Sequence, residues 1–251
     1  MLASCTLVSM VVYTECVEKK FPDITAILPA AGTGKRMNNI LPKQYCTIGD
    51  KTLIEHSISV LLYQSCIRHC IVVVNASDRW FRQLSISYDP RVSVVIGGQT
   101  RADSVMAGLE HVKKSVWVIV HDAVRPCLRD EDLLRLFEIT KFSQIGGILA
   151  IPISNTIKRT YYGTNVIRYT VDRENLWHAL TPQLFNYDLL KCCLKKALKN
   201  KVVITDEASA VEYCGYTSIL IQGRSDNIKV TYQDDLKLAR FYLSKLYNKK
   251  T

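Results

Sequence analysis

The chain has 251 residues, 48% of them hydrophobic, and a formal charge of +10 at neutral pH. That length suits one large α/β domain with an ample core, and the sequence holds no internal repeat or low-complexity segment. The charge points to an acidic partner such as nucleic acid, a membrane surface or a phosphorylated small molecule, without choosing among them. Lys191, Lys195, Lys196, Lys199 and Lys201 fall at helix-surface spacing and read as a solvated face.

Residues 1–22 read as an N-terminal extension. Its stretch 2–13 is broken by Ser4, Thr6 and Ser9, has no basic residue before it, and is too short to span a bilayer. The domain then runs over 23–251. Residues 24–28 form a short apolar run of the kind a buried parallel strand shows, ended by Pro29. Residues 53–62 have helical apolar spacing and 71–74 are β-branched, which completes a β-α-β unit. A second helix is expected over 80–84, a strand over 92–96, a helix over 101–112 and a strand over 116–120. This alternation predicts a doubly wound, mainly parallel sheet whose ligands collect at the strands' carboxyl ends. The loops 29–36, 97–104 and 121–126 all fall at such ends.

From Gly146 the rhythm changes. Residues 148–153 read as a strand, but 156–159 and 165–171 read as a hairpin turning at Tyr161-Tyr162-Gly163, an arm of about 153–174. Two strands alone are marginal in water, so the arm is expected to lean on a second subunit. Strand 179–185, helices 187–198 and 206–214, short strands 218–221 and 228–230, and a helix over 233–247 complete the expected order.

Nine cysteines are scattered through apolar segments with no C-x-x-C, which argues for reduced thiols in a cytosolic protein and against disulfides or a zinc site. The five histidines show no ligand spacing, and no Ser/His/Asp nucleophile signature is present.

Three loops carry the chemistry. Ala30, Ala31, Gly32, Thr33 and Gly34 are small enough to leave the backbone open, and successive open N–H groups make an anion site. Lys35, Arg36 and Lys43 sit behind them, which suits a triphosphate. A Walker loop is excluded because Arg36 stands where Ser or Thr is required, and a dinucleotide loop because Met37 replaces its third glycine. In G-G-x-x-R-x-x-S, Gly97 and Gly98 permit close approach of a flat base, and Ser104 lies near a helix start. Asp122 and Arg125 share one short loop at a strand end. There the carboxylate either orients a ligand hydroxyl or a hydrated Mg²⁺, or simply pairs with Arg125. Arg173 offers a planar fork suited to a phosphate, and Lys229 lies within an otherwise apolar stretch that needs an anion to meet it.

Taken together these loops resemble the 2-C-methyl-D-erythritol 4-phosphate cytidylyltransferases. The likeness spans about 24–247 and rests on P-A-A-G-x-G-x-R-M (29–37), P-K-Q (42–44), G-G-x-x-R-x-x-S-V (97–105), H-D-A-x-R-P (121–126), T-V-D-R (170–173), T-P-Q (181–183), T-D-E-A (205–208) and N-I-K-V-T (227–231). The resemblance implies a Rossmann-like nucleotidyltransferase that moves CMP from CTP onto the polyol phosphate in non-mevalonate isoprenoid biosynthesis. It implies that Arg36 and Lys43 offset charge on the α-phosphate, that Ala30, Ala31, Gly32, Gly98, Ser104 and Lys229 line the nucleotide pocket, and that Asp122, Arg125, Thr156, Arg173 and Lys229 serve the polyol phosphate, with Thr181 a further substrate-binding residue. Arg173 is expected to act from the arm in a partner's site of a homodimer. Mg²⁺ is expected on the CTP phosphates with no dedicated protein cage, assisted at most by Asp122, and the protein is expected in the cytoplasm, engaging neither nucleic acid nor membrane. Departures from the family pattern are Val124 where alanine is usual, Gln99 where some relatives have an acid, and the extension itself.

A pentitol-phosphate cytidylyltransferase shares most of these loops, and Thr156 and Arg173 favour the methylerythritol type. A basic nucleic-acid-binding module would explain the charge but would leave the three strand-end loops without a purpose. A pseudo-enzyme that keeps the dimer would have no use for the retained cations.

Overall fold

The computed structural model describes residues 21–32 and 41–247. Its centre is a seven-stranded sheet. In chain order the strands are β1 (Ile24–Pro29), β4 (Ile67–Val74), β5 (Val92–Ile96), β6 (Trp117–Val120), β7 (Gly146–Pro152), β10 (Trp177–Asn186) and β11 (Ile219–Gln222). Two small two-stranded pieces, β2 (Thr47–Ile48) with β3 (Lys51–Thr52) and β8 (Ile157–Thr160) with β9 (Ile167–Val171), lie outside it. The spatial order is β11-β7-β10-β6-β1-β4-β5. Within this sheet all pairings are parallel except those of β10, which runs antiparallel to both β6 and β7.

The helices are α1 (Leu53–Leu62), α2 (Arg101–Glu110), α3 (Asp130–Phe137), α4 (Tyr187–Lys199), α5 (Glu207–Tyr213) and α6 (Gln233–Tyr247). They cover both faces of the sheet, which is why its central strands carry apolar residues without alternation. On β1, Ala26 and Leu28 pack with Ile54, Ile58 and Phe137 on one face, while Ile27 packs with Val105, Leu109 and Leu194 on the other. A third cluster joins Val230, Ala239 and Leu243 to Leu53 and Val124, which seats α6 beside the loop after β6. From β5, α2 crosses back over the centre of the sheet to reach β6. Gly108 allows that passage: a Cβ there would lie 2.6 Å from Ile27 Cγ2.

Several expectations change. Residues 80–84 form no α-helix; two 3₁₀ turns, Phe81–Gln83 and Ser85–Tyr88, occupy that connection, because Asp78 Oδ1 accepts from the backbone of Trp80 and Phe81 and closes a tight turn instead. Residues 228–230 form no strand; Val230 N donates to Val124 O, and the segment runs extended without a ladder. Helix α3 was not anticipated, although its sequence DEDLLRLF has three acids in the first turn and buried Leu133, Leu136 and Phe137. The extension 1–22 lies outside the described residues except for Phe21 and Pro22.

The arm emerges between two strands that are direct neighbours. β7 ends at Pro152 and β10 begins opposite it, Trp177 facing Pro152, so everything between is an excursion from one antiparallel pair. The excursion carries the hairpin of β8 and β9, whose side chains are mostly exposed, Tyr161, Tyr162, Val166, Ile167 and Tyr169 among them. No helix among the described residues is long and apolar enough to cross a membrane.

Candidate active site

β4 lies on one side of β1 and β6 on the other, so the chain's direction of winding reverses between β1 and β6. A cleft opens beyond the carboxyl ends of such strands, and three loops meet there. The first follows β1. Ala30 N still donates to Val73 O at 2.7 Å, and then the backbone leaves the sheet. The buried Gln44 amide holds it by donating to Ala30 O at 2.8 Å and Gly32 O at 3.1 Å. Among the described residues a Cβ at Gly32 would meet nothing within 4 Å. Lys43 opens the 3₁₀ turn Lys43–Tyr45 and donates from Nζ to Val230 O at 3.0 Å. Arg36 lies outside the described residues.

The second loop joins β5 to α2. Thr100 caps the helix in a reciprocal capping box with Asp103, and Ser104 Oγ donates to Thr100 O at 3.0 Å. A Cβ on Gly98 would sit 2.3 Å from Asp103 Cβ, and one on Gly97 would sit 2.6 Å from Ser104 Oγ. Their smallness is therefore already required by the way the loop folds onto its own helix.

The third loop follows β6. His121 is fully buried and shares hydrogen bonds with the Thr181 hydroxyl at 3.0 Å and Arg125 O at 3.1 Å. Burial pushes its imidazole down to about 4, so it is neutral at physiological pH. Thr181 reaches this point because β10 runs antiparallel, which brings its first half to the carboxyl end of β6; its Oγ1 also accepts from Asp122 N at 3.0 Å. Asp122 is a hub of charge. Its Oδ1 pairs with Arg101 at 3.3 Å, and its Oδ2 pairs with Lys229 at 3.0 Å and Arg125 at 3.2 Å. Burial alone would raise this carboxyl, but Arg101, Lys229 and Arg125 outweigh it and hold the group well below the usual carboxylate range.

Two adjoining cavities result. The larger, about 390 Å³, is lined by the bare backbone of Ala30, Ala31, Gly32 and Gly98, by Ser104, and by Lys43, Arg101, Asp122 and Lys229. The smaller, about 250 Å³, is lined by Arg125, Thr181, Gln183 and Thr205 among others. Arg101, Asp122 and Lys229 belong to both and form the wall between them. An open, cationic backbone loop beside a walled second chamber suits two phosphorylated ligands meeting at that wall.

The family model for 2-C-methyl-D-erythritol 4-phosphate cytidylyltransferase (IspD) matches residues 24–245. The chain belongs to this family. A 2-C-methyl-D-erythritol 4-phosphate cytidylyltransferase of Blochmanniella pennsylvanica (strain BPEN) is 84% identical over 233 residues, covering 93% of this chain and 99% of the relative. The crystal structure of a 4-diphosphocytidyl-2C-methyl-D-erythritol synthase matches with a TM-score of 0.74 at 38% identity, over 88% of this chain and 99% of that one. The Francisella tularensis 2-C-methyl-D-erythritol 4-phosphate cytidylyltransferase structure matches with a TM-score of 0.75 at 31% identity, over the same shares.

In this cytidylyltransferase the cleft gathers most residues that the sequence singled out. Ala30, Ala31, Gly32, Lys43, Gly98, Ser104, Asp122 and Lys229 line the larger cavity, and Arg125 and Thr181 line the smaller. Arg125 also makes the local pair with Asp122 and donates from Nη1 to Asn227 O at 2.7 Å. Thr156 and Arg173 line neither cavity: both are exposed on the arm, where the Arg173 guanidinium donates to Ser154 O. Sequence reasoning assigned no role to Gln44, Arg101 or Glu207. The signal for each was its place in P-K-Q, G-G-x-x-R and T-D-E-A, but pairing partners so distant along the chain are invisible without the fold.

Among the described residues no three His, Cys, Asp or Glu side chains cluster to hold a metal. Among the described residues Asp122 is the one carboxylate lining the larger cavity. A single acid beside a phosphate site fits Mg²⁺, which keeps several waters and takes one or two carboxylates plus substrate phosphates.

Proposed function

We propose that CTP occupies the larger cavity and 2-C-methyl-D-erythritol 4-phosphate the smaller, and that CMP passes between them at the wall formed by Arg101, Asp122 and Lys229. The observation that carries this reading is that Lys43, Lys229 and the open backbone of 30–32 line one cavity whose wall is shared with a second. The acceptor phosphate is anionic at neutral pH and needs no general base. One of its oxygens forms a bond to the α-phosphorus in line with the leaving group, the bond from that phosphorus to the β-phosphate oxygen breaks, and pyrophosphate departs. The products are 4-diphosphocytidyl-2-C-methyl-D-erythritol and pyrophosphate.

The obstacle is repulsion between two phosphates, so catalysis consists of positioning and charge compensation. Lys43 and Lys229, both lining the larger cavity, supply it, with Arg36 assigned to the α-phosphate. Asp122 would be the protein's candidate ligand for a Mg²⁺ ion bound with the triphosphate, which would further neutralise the phosphate oxygens. Gln44 keeps the glycine loop open, and Thr181 fixes the backbone of Asp122.

We take 23–251 as one catalytic domain and residues 153–174 as an arm that joins a homodimer, with Thr156 and Arg173 completing the partner's acceptor chamber. The exposed aromatic and aliphatic side chains of the arm support this assembly, since an isolated hairpin buries too little to be stable alone. The cysteines among the described residues are free thiols, which supports a cytoplasmic setting.

The test is pyrophosphate release with CTP, Mg²⁺ and 2-C-methyl-D-erythritol 4-phosphate, repeated with ATP, GTP and UTP and in competition with ribitol 5-phosphate. Absence of release with CTP, or preference for the pentitol phosphate, refutes the assignment. A monomeric mass for the intact chain in light scattering refutes the role of the arm.

A further inference from the structure

T-D-E-A is the motif that this mechanism leaves without work. Its Asp206 caps α5, accepting from Ser209 N, and Gln183 ties that turn to β10 by donating to Asp206 Oδ2 at 2.9 Å and accepting from Ala208 N at 3.0 Å. The next residue, Glu207, is buried, and both of its oxygens accept from Arg101: Oε1 from Nη1 at 2.6 Å and Oε2 from Nη2 at 3.1 Å. Such a two-point pair fixes the plane of a guanidinium as well as its position.

Arg101 is the first residue of α2, the positive end of that helix, where a cation is disfavoured. Two carboxylates, Glu207 and Asp122, hold it there. They engage Nε and one N–H on each terminal nitrogen, which leaves two N–H groups of the fork for a ligand. Arg101 also lies on the wall common to both cavities. A local rule broken at such a place, with buried residues spent on maintaining the breach, marks a functional group.

We propose that Arg101 contacts the acceptor phosphate at the junction of the two cavities and that Glu207 is the positioning residue that holds its guanidinium there. The inference rests on the assignment of the cavities given above. Glu207 touches no substrate; it acts through Arg101, and the anchoring of α5 to β10 makes it a rigid support.

The experiment compares Glu207→Gln, Arg101→Lys and the double variant with wild type, by steady-state pyrophosphate release at varied CTP and varied 2-C-methyl-D-erythritol 4-phosphate, with thermal melts to confirm folding. Glu207→Gln keeps size and one acceptor; its kcat/KM for the polyol phosphate is expected to fall on the order of 10²-fold, as a displaced catalytic contact does, with KM for CTP changed by less than about threefold. Arg101→Lys keeps the charge and loses the fork, and should show a similar fall in kcat/KM for the polyol phosphate, with a raised KM for it. Because both substitutions remove one unit, the double variant should be no worse than about the poorer single one. Wild-type kinetics in folded Glu207→Gln, or losses that multiply in the double variant, overturn the inference. If Glu207→Gln does not fold, an unchanged polyol-phosphate KM in Arg101→Lys overturns it alone. Wild type that releases no pyrophosphate overturns the cavity assignment itself, whereas active wild type with unaltered variants overturns this inference only.

Discussion

Replacing Asp122 by Asn keeps the shape of the side chain and deletes its charge, which leaves Arg101, Arg125 and Lys229 facing one another across a buried point. At an effective dielectric of about 20, a pair of unit charges at the observed 3.0 to 3.3 Å is worth roughly 5 kcal/mol. Three such pairs cannot be summed, because Lys229 and Arg101 are 40% and 29% exposed and water screens them. Breaking a buried pair by removing one partner costs about 3–5 kcal/mol, and that range is the one to apply. For a chain of this size each kcal/mol lowers Tm by about 2–4 °C, so Asp122→Asn should melt on the order of 10 °C below wild type. Added pyrophosphate should raise the variant's Tm more than the wild type's, because the freed cations become an anion site. Differential scanning calorimetry at low ionic strength reads both effects. A variant that melts within about 2 °C of wild type, with the same response to pyrophosphate, refutes the view that this carboxylate organises the wall.

Other outcomes follow from single contacts. Lys43→Ala and Lys229→Ala should each retain folding and lose about 10² to 10³ in kcat, the usual loss when one preorganised charge donor is removed, and wild-type turnover in either folded variant refutes its role. Gly98→Ala places a methyl group 2.3 Å from Asp103 Cβ, so the start of α2 must shift; circular dichroism should show a lower Tm and assays a higher KM for CTP, with unchanged values refuting the packing. On acidification, His121 resists protonation in the folded state to about 4 but protonates near 6.5 when unfolded. The unfolded chain then binds the extra proton, so stability falls as pH drops through that window, by up to about 3 kcal/mol, and this contribution levels off below it. The Asp122 contribution is present above its unfolded value near about 4 and is lost only at lower pH. Urea titrations between pH 7 and 4 should show a shallower slope in His121→Asn than in wild type.

How much of this was legible beforehand depended on the reach of each interaction. β1, β5, α1, α2 and α6 follow from short-range periodicity and were readable. The glycine loops were readable as ligand loops because a backbone that must stay open restricts residue type locally. Gly98 nonetheless has a second duty, against Asp103, that its neighbours in sequence do not reveal. Helix α3 escaped although its pattern was present, and residues 80–84 looked helical until Asp78 drew the backbone into turns. Lys229 stands out as a cation among apolar residues, but the strand expected around it is an extended segment outside any ladder, bonded to Val124 O through Val230 N.

Sequence alone settled the doubly wound class, the order of most elements and the three loops that carry charge, since each is a pattern over a few consecutive residues. Only the tertiary structure decided that Asp122 is shared by three cations from three separate segments, that Glu207 grips Arg101 from 106 positions away, and that Thr156 and Arg173 stand apart from the cleft of their own chain. Ion pairs and cavity walls are set by distances in space, and distances between remote segments are fixed by how the sheet winds and which strand lies beside which.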